Sequence, residues 1–224
     1  MDIINDFYNS IIYDKRYLYI LDGVKNTILI ALLAVVIGII IGFILSLTLN
    51  YHKETKKLPI LNFLANLYTT IIRGTPALLQ LMIIYYIIFR SLDINLIIVG
   101  GVSFGINSGA YVSEIIRAGI ESVDIGQKEA GYALGLSYIK VMKNIIMPQA
   151  IKNILPALGN EFITLLKETS VAGYIGIMEL TKAGDIIASR TYNYFFPLIV
   201  VAIIYLVLTI GLAKLLNILE RKLK

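Results

Sequence analysis

The sequence predicts an all-α integral membrane protein. Three observations carry that expectation: 58% of the 224 residues are hydrophobic against 16% charged, the mean hydropathy is +0.79, and residues 28–49 contain no charged side chain. A helix crosses the hydrocarbon core in about 20 residues, so that run alone is long enough to span.

The elements follow in chain order. Residues 1–23 read as an extracytoplasmic, interfacial segment, with Ile4, Phe7, Ile11 and Ile12 at helical spacing. The 28–49 run is the first span, and it is expected to be retained because Asp2, Asp6, Asp14 and Asp22 precede it instead of a short basic start. Apolar runs at 58–89, 94–120, 155–177 and 195–219 bring the expected count to five transmembrane helices within one membrane domain, 24–224. An odd count puts the termini on opposite sides. Lysine and arginine are denser in 52–57, 121–154 and 220–224, which fall on one side; the positive-inside rule makes that side cytoplasmic, with the N-terminus outside.

Within the second run, Arg73-Gly74-Thr75-Pro76 interrupts the pattern. Proline removes a backbone donor and glycine permits a bend, so two half-helices are expected there. The kink either lines a cavity or is structural, with Arg73 reaching an interface. Gly38 and Gly42, then Gly101, Gly105 and Gly109, recur at the spacing that lets neighbouring helices approach closely.

Charged side chains in a span are costly, so each needs a partner or a wet cavity. Asn107, Tyr111 and Glu114 share one narrow face of the third span, with Ser108 at its border. Asn160, Glu161, Thr164, Lys167 and Glu168 gather in about a third of the circumference of the fourth. Two such faces suggest a shared aqueous path in which Glu114 or Glu161 accepts a substrate ammonium group and Asn, Ser or Thr donates to a carboxylate. Internal pairing is the alternative, Glu114 with Arg117 three residues on. The carboxylates favour a polar or cationic substrate side chain, that of arginine included.

Other chemistries find little support. With no cysteine and one histidine, His52, the chain is expected to hold no disulfide and no metal. The net charge of +5 is read as membrane anchoring instead of nucleic-acid binding. No Gly-x-x-x-x-Gly-Lys-Ser/Thr phosphate loop occurs, and no nucleophile-elbow serine is expected, so the chain by itself reads as non-enzymatic.

Residues 121–154 are too polar for hydrocarbon, yet Ala130, Ala133, Leu134, Ile139, Met142, Ile145 and Ile146 suit two short amphipathic helices on either side of Gly135. Glu129-Ala130-Gly131, then Gly135, then Ile145-Ile146-Met147-Pro148 resembles the E-A-A-x3-G-x9-I-x-L-P loop of binding-protein-dependent ABC importer permeases, with Gly131 for the second alanine and Met147 for leucine. "RGTPALLQL" (73–81), "NSGAYVSEIIRAGIESVDIGQKEA" (107–130) and "PQAIKNILPALGNEFITLLKETS" (148–170) narrow the resemblance to the polar amino-acid uptake branch.

That resemblance implies a type I (MetI-like) permease in a prokaryotic cell membrane. It implies a second permease copy or close paralogue, a pair of cytoplasmic ATP-binding subunits that carry ATP and Mg, and an extracytoplasmic substrate-binding protein. This chain would bind no cofactor itself, and the segment around Glu129, Ala130, Gly131, Gly135 and Pro148 would couple it to the ATPase. The readings set against it are an ion- or proton-coupled secondary transporter, and a membrane scaffold or intramembrane enzyme.

Overall fold

The computed structural model describes residues 3–223, and every regular element among them is helical. Helix α1 (Ile3–Phe7) runs through a π-helical turn (Tyr8–Ile12) into a 3-10 turn (Tyr13–Lys15), where Asp14 and Lys15 adopt left-handed backbone at φ 56° and 54°. Ile11 is buried in a cluster with Ile20, Leu180, Ile187 and Val201, while Ile4 and Ile12 stay exposed. The ring of Phe7 meets that of Phe196 edge-on at 5.9 Å. This segment is therefore partly docked on the bundle.

Helix α2 (Tyr17–Thr55) has 39 residues. At 1.5 Å per residue it is about 58 Å long, against a hydrocarbon core of about 30 Å. It overruns the 28–49 apolar run at both ends because Asp22, Lys25, Lys53 and Glu54 interrupt hydropathy without breaking a helix. It stops at Lys56, left-handed at φ 57°, whose N–H donates to the His52 carbonyl at 2.8 Å.

Helices α3 (Pro59–Gly74) and α4 (Ala77–Ile83, continued by a π turn at Ile84–Ile88) meet at 109° across the expected break. Helix α5 (Leu96–Glu121) starts on an Asn95 cap whose Oδ1 accepts from the Ile97 N–H at 2.9 Å. Then come α6 (Ile125–Ala133), α7 (Tyr138–Val141, with a π turn at Met142–Ile146), α8 (Met147–Glu168), a 3-10 turn (Thr169–Ile175), α9 (Leu180–Thr191) and α10 (Phe195–Leu223).

Helices α2, α5 and α10 are long and apolar enough to cross a membrane, and the bent α3–α4 pair makes a fourth candidate. The run expected at 155–177 is placed differently. Its helix spans Met147–Glu168, with Pro148 in the first turn, where its missing N–H costs nothing. The apolar residues after it wind into the 3-10 turn and end at Gly176, φ +87°. At 22 residues α8 is long enough to cross, but it carries Lys152, Glu161, Lys167 and Glu168.

The expected glycine pattern is the seam between α2 and α5. A Cβ at Gly42 would lie 2.5 Å from Val112 Cγ1, and one at Gly105 would lie 2.6 Å from Ile37 Cβ. Each helix thus lends small residues to the other's β-branched ones. Below the seam, Ile30, Ala34, Leu81, Val99, Phe104, Leu165 and Ile175 form the main core. Helix α5 is mostly buried, whereas α2 and α10 turn large apolar faces outward, as lipid contact requires.

Candidate functional site

Breaking α3 from α4 strips carbonyls of their helical donors, and membrane-depth backbone must recover them inside the protein. Gln80 does this. Its Nε2 donates to the Ile72 carbonyl at 2.8 Å, to the Thr75 carbonyl at 3.1 Å and to Thr75 Oγ1 at 2.7 Å. Its Oε1 accepts from Asn107 Nδ2 at 2.9 Å, which ties the break to the middle of α5. Gln80 and Asn107 are both buried, and Gln80 is a residue that sequence reasoning missed. A lone glutamine four residues past Pro76 in an apolar run was the available signal.

One turn further along α5, Tyr111 is exposed and the Arg73 guanidinium lies 5.9 Å from its ring centroid. Arg73 Nη1 also stands 3.6 Å from Glu114 Oε1, while Arg117 pairs with the other oxygen of Glu114. Arg117 reaches on to Glu121 at 2.8 Å, and Glu121 to Lys53 at 2.9 Å. An alternating chain of charge, Arg73–Glu114–Arg117–Glu121–Lys53, therefore runs from the break to the lysine-rich end of α2. The pairing of Glu114 with Arg117 expected from spacing is present, and Arg73 joins it.

The structure brings together Ser108 and Glu161, whose Oγ to Oε1 hydrogen bond of 2.7 Å links α5 to α8. It does not bring the two polar faces onto one another. Asn107, Tyr111 and Glu114 face the broken α3–α4 pair, while Asn160 and Thr164 lie exposed on α8 beside half-buried Glu161. Among the described residues, no three His, Asp or Glu side chains converge as a metal site. Gly101-Val102-Ser103-Phe104-Gly105 has the Gly-x-Ser-x-Gly spacing, which the sequence reading passed over. Ser103 is buried in mid-helix and donates to the Val99 carbonyl, so it forms no strand-to-helix elbow.

At the lysine-rich end, α6 and α7 form one ordered unit. Asp124 caps α6 by accepting from the Gly126 N–H at 2.7 Å. A Schellman motif ends it: Leu136 N–H donates to the Gly131 carbonyl at 3.2 Å and Gly135 N–H to the Tyr132 carbonyl at 2.9 Å, with Gly135 at φ +76°. Gly131 is buried, and a Cβ there would lie 2.9 Å from Val141 Cγ2, which accounts for glycine at that place. Val141, Met142 and Ile146 make a small core beneath, and Lys128 pairs with Glu54 of α2. Glu129, Ala130 and Pro148 are exposed, as are Leu134 at 79% and Ile139 at 68%.

At the other end, Glu179 is fully buried and caps α9, its oxygens accepting from the Thr181 and Lys182 N–H groups at 2.6 Å each. Burial pushes its carboxyl up to about 7, against those hydrogen bonds.

Long apolar helices, a sharply bent helix pair stitched by buried polar side chains, and an ordered amphipathic unit at the basic end define a membrane permease component. The chain belongs to the family of binding-protein-dependent transport system inner membrane components, whose model matches residues 34–224. An arginine transport system permease protein of Bacillus subtilis is 43% identical over 208 residues, covering 92% of this chain and 93% of that one. A Rickettsia bellii permease protein named for glutamine transport is 43% identical over 213 residues, covering 94% and 95%. The fold matches a crystal structure of an amino acid ABC transporter with histidines at TM-score 0.84 and 42% identity, covering 93% and 95%. An inward-facing methionine ABC transporter matches at TM-score 0.78 and 16% identity, covering 94% and 99%, and shows the fold alone.

Proposed function

We propose that this chain is the membrane subunit of an ATP-driven importer of polar L-amino acids, arginine foremost, working by alternating access. It crosses the membrane five times, α8 included, with its lysine-rich end in the cytoplasm. Two ATP-binding subunits grip α6 and the turn at Gly135, a second permease copy or paralogue completes the pore, and an external binding protein delivers the substrate.

The observation that carries this reading is the packing, capping and exposure of that unit. A loop packed on its own core, capped at both ends of α6 and presenting Glu129 and Leu134, transmits a push instead of absorbing it. Its pairing to α2 through Lys128 and Glu54 gives movement of the docked helix a route into the bundle. The relatives named for arginine and glutamine support a polar amino-acid cargo. Glu114 is already countered by two arginines, so Glu161, facing Ser108, is the better acceptor for a substrate cation.

The test is reconstitution with the ATPase and binding protein, followed by uptake of arginine, lysine, histidine, glutamine and cystine. ATP-dependent accumulation of at least one supports the reading. Accumulation driven by an ion gradient without ATP would establish a secondary transporter instead.

A further inference from the structure

We propose that the groove between the C-terminal end of α2 and the α7–α8 junction binds an anionic phospholipid of the bilayer, one acyl chain in the groove and the headgroup among the lysines at its rim. The cavity is about 480 Å³, within the roughly 300–1,000 Å³ of small-molecule sites. Leu47 and Tyr51 of α2, Leu58 at the head of α3, and Ile139 and Met142 of the α7 segment supply a nearly continuous apolar wall, and Lys143 is its charged group. The rings of Tyr51 and Tyr138, 5.5 Å apart and edge-on, brace it.

Depth and charge select the occupant. The apolar run of α2 ends at Leu49, so the groove begins at hydrocarbon depth beside Leu47 and opens past that limit at Lys143. Lys56 and Lys57 directly precede Leu58, and Lys140 follows Ile139; with Lys143 they make four exposed cations. None of the four takes part in an ion pair among the described residues, whereas Lys53 and Lys128 are matched by Glu121 and Glu54. No carboxylate lines the groove. A soluble anion would leave the apolar wall bare, and a zwitterionic lipid would leave the lysines uncompensated. An anionic lipid satisfies both.

The chain contains no tryptophan, so a single introduced one reports without background. Leu47→Trp places it in the groove; Ile40→Trp, on the same helix at a position 56% exposed, is the control. The full chain is placed in phosphatidylcholine vesicles and titrated with brominated-chain phosphatidylglycerol or brominated-chain phosphatidylcholine. At Leu47→Trp, half-quenching is expected at an about fivefold lower mole fraction of the anionic lipid for each lysine engaged, a preference absent at Ile40→Trp. Lys140→Glu with Lys143→Glu should abolish the preference while the protein stays monodisperse. Should Leu47→Trp fail to insert, Ile139→Trp gives the same readout. Equal quenching by both lipids, a preference that survives charge reversal, or loss of quenching when the ATP-binding subunit is added would each overturn the site, the last by making the groove a protein interface.

Discussion

Asn107 in the middle of α5 donates a hydrogen bond of 2.9 Å to Gln80, and Gln80 in turn fills the carbonyls left open by the break at 73–76. The kink is thus held from both sides. Its angle is fixed by a buried network that a hydrophobic residue cannot replace.

Gln80→Leu leaves the Ile72 and Thr75 carbonyls without that donor. Each unsatisfied buried group costs about 1–3 kcal/mol. A melting temperature lower by about 2–4 °C per kcal/mol is expected in detergent. An unchanged melt would show that the break carries no such demand.

In the loop unit, two glycines should fail for different reasons. Gly131→Ala drives a Cβ against β-branched Val141, and overpacking of this kind costs about 1–3 kcal/mol. Gly135→Ala meets open space but a left-handed backbone, for about 1–2 kcal/mol. In a Val141→Ala background, itself destabilised by the cavity it opens, Gly131→Ala should cost much less than in the native chain while Gly135→Ala costs the same, read by thermal unfolding of the single and double variants.

How much of this was legible follows from where the signal lies. The α2–α5 seam could be read because small residues repeat at helical spacing, and Gly135 because it parts two amphipathic patterns. The ends of α2 could not, since charge hides a helix that simply continues out of the membrane. Residues 169–175 resembled a span end by hydropathy yet coil tightly, and α8 begins earlier, at Met147. Arg73 lay far from Glu114 in sequence, so only folding revealed that the carboxylate is shared between two arginines.

That sharing separates the roles of two carboxylates. Glu161→Gln exchanges a charge-assisted hydrogen bond for a neutral one, a difference of about 1.4 kcal/mol or about tenfold. The apparent KM for arginine should rise by that factor relative to glutamine. Glu114→Gln should leave the ratio between the two substrates unchanged. The opposite pattern in reconstituted uptake would return the substrate contact to Glu114.

Glu179 makes stability depend on pH. Its folded-state carboxyl sits at about 7, above the ordinary 4.5, so the folded protein holds the proton more tightly than the unfolded chain. Stability therefore falls as pH rises from about 4.5 to about 7 and levels off above. Glu179→Gln should flatten that part of the profile, measured as melting temperature against pH for both proteins; parallel profiles would place the dependence elsewhere.

The most direct measurement is uptake and ATP hydrolysis in the same reconstituted vesicles, comparing the native chain with Glu129→Lys and Gly135→Pro. Native chains should accumulate amino acid in step with hydrolysis. Both variants should insert and lose uptake. Unchanged uptake by both would contradict the docking of an ATPase at this unit.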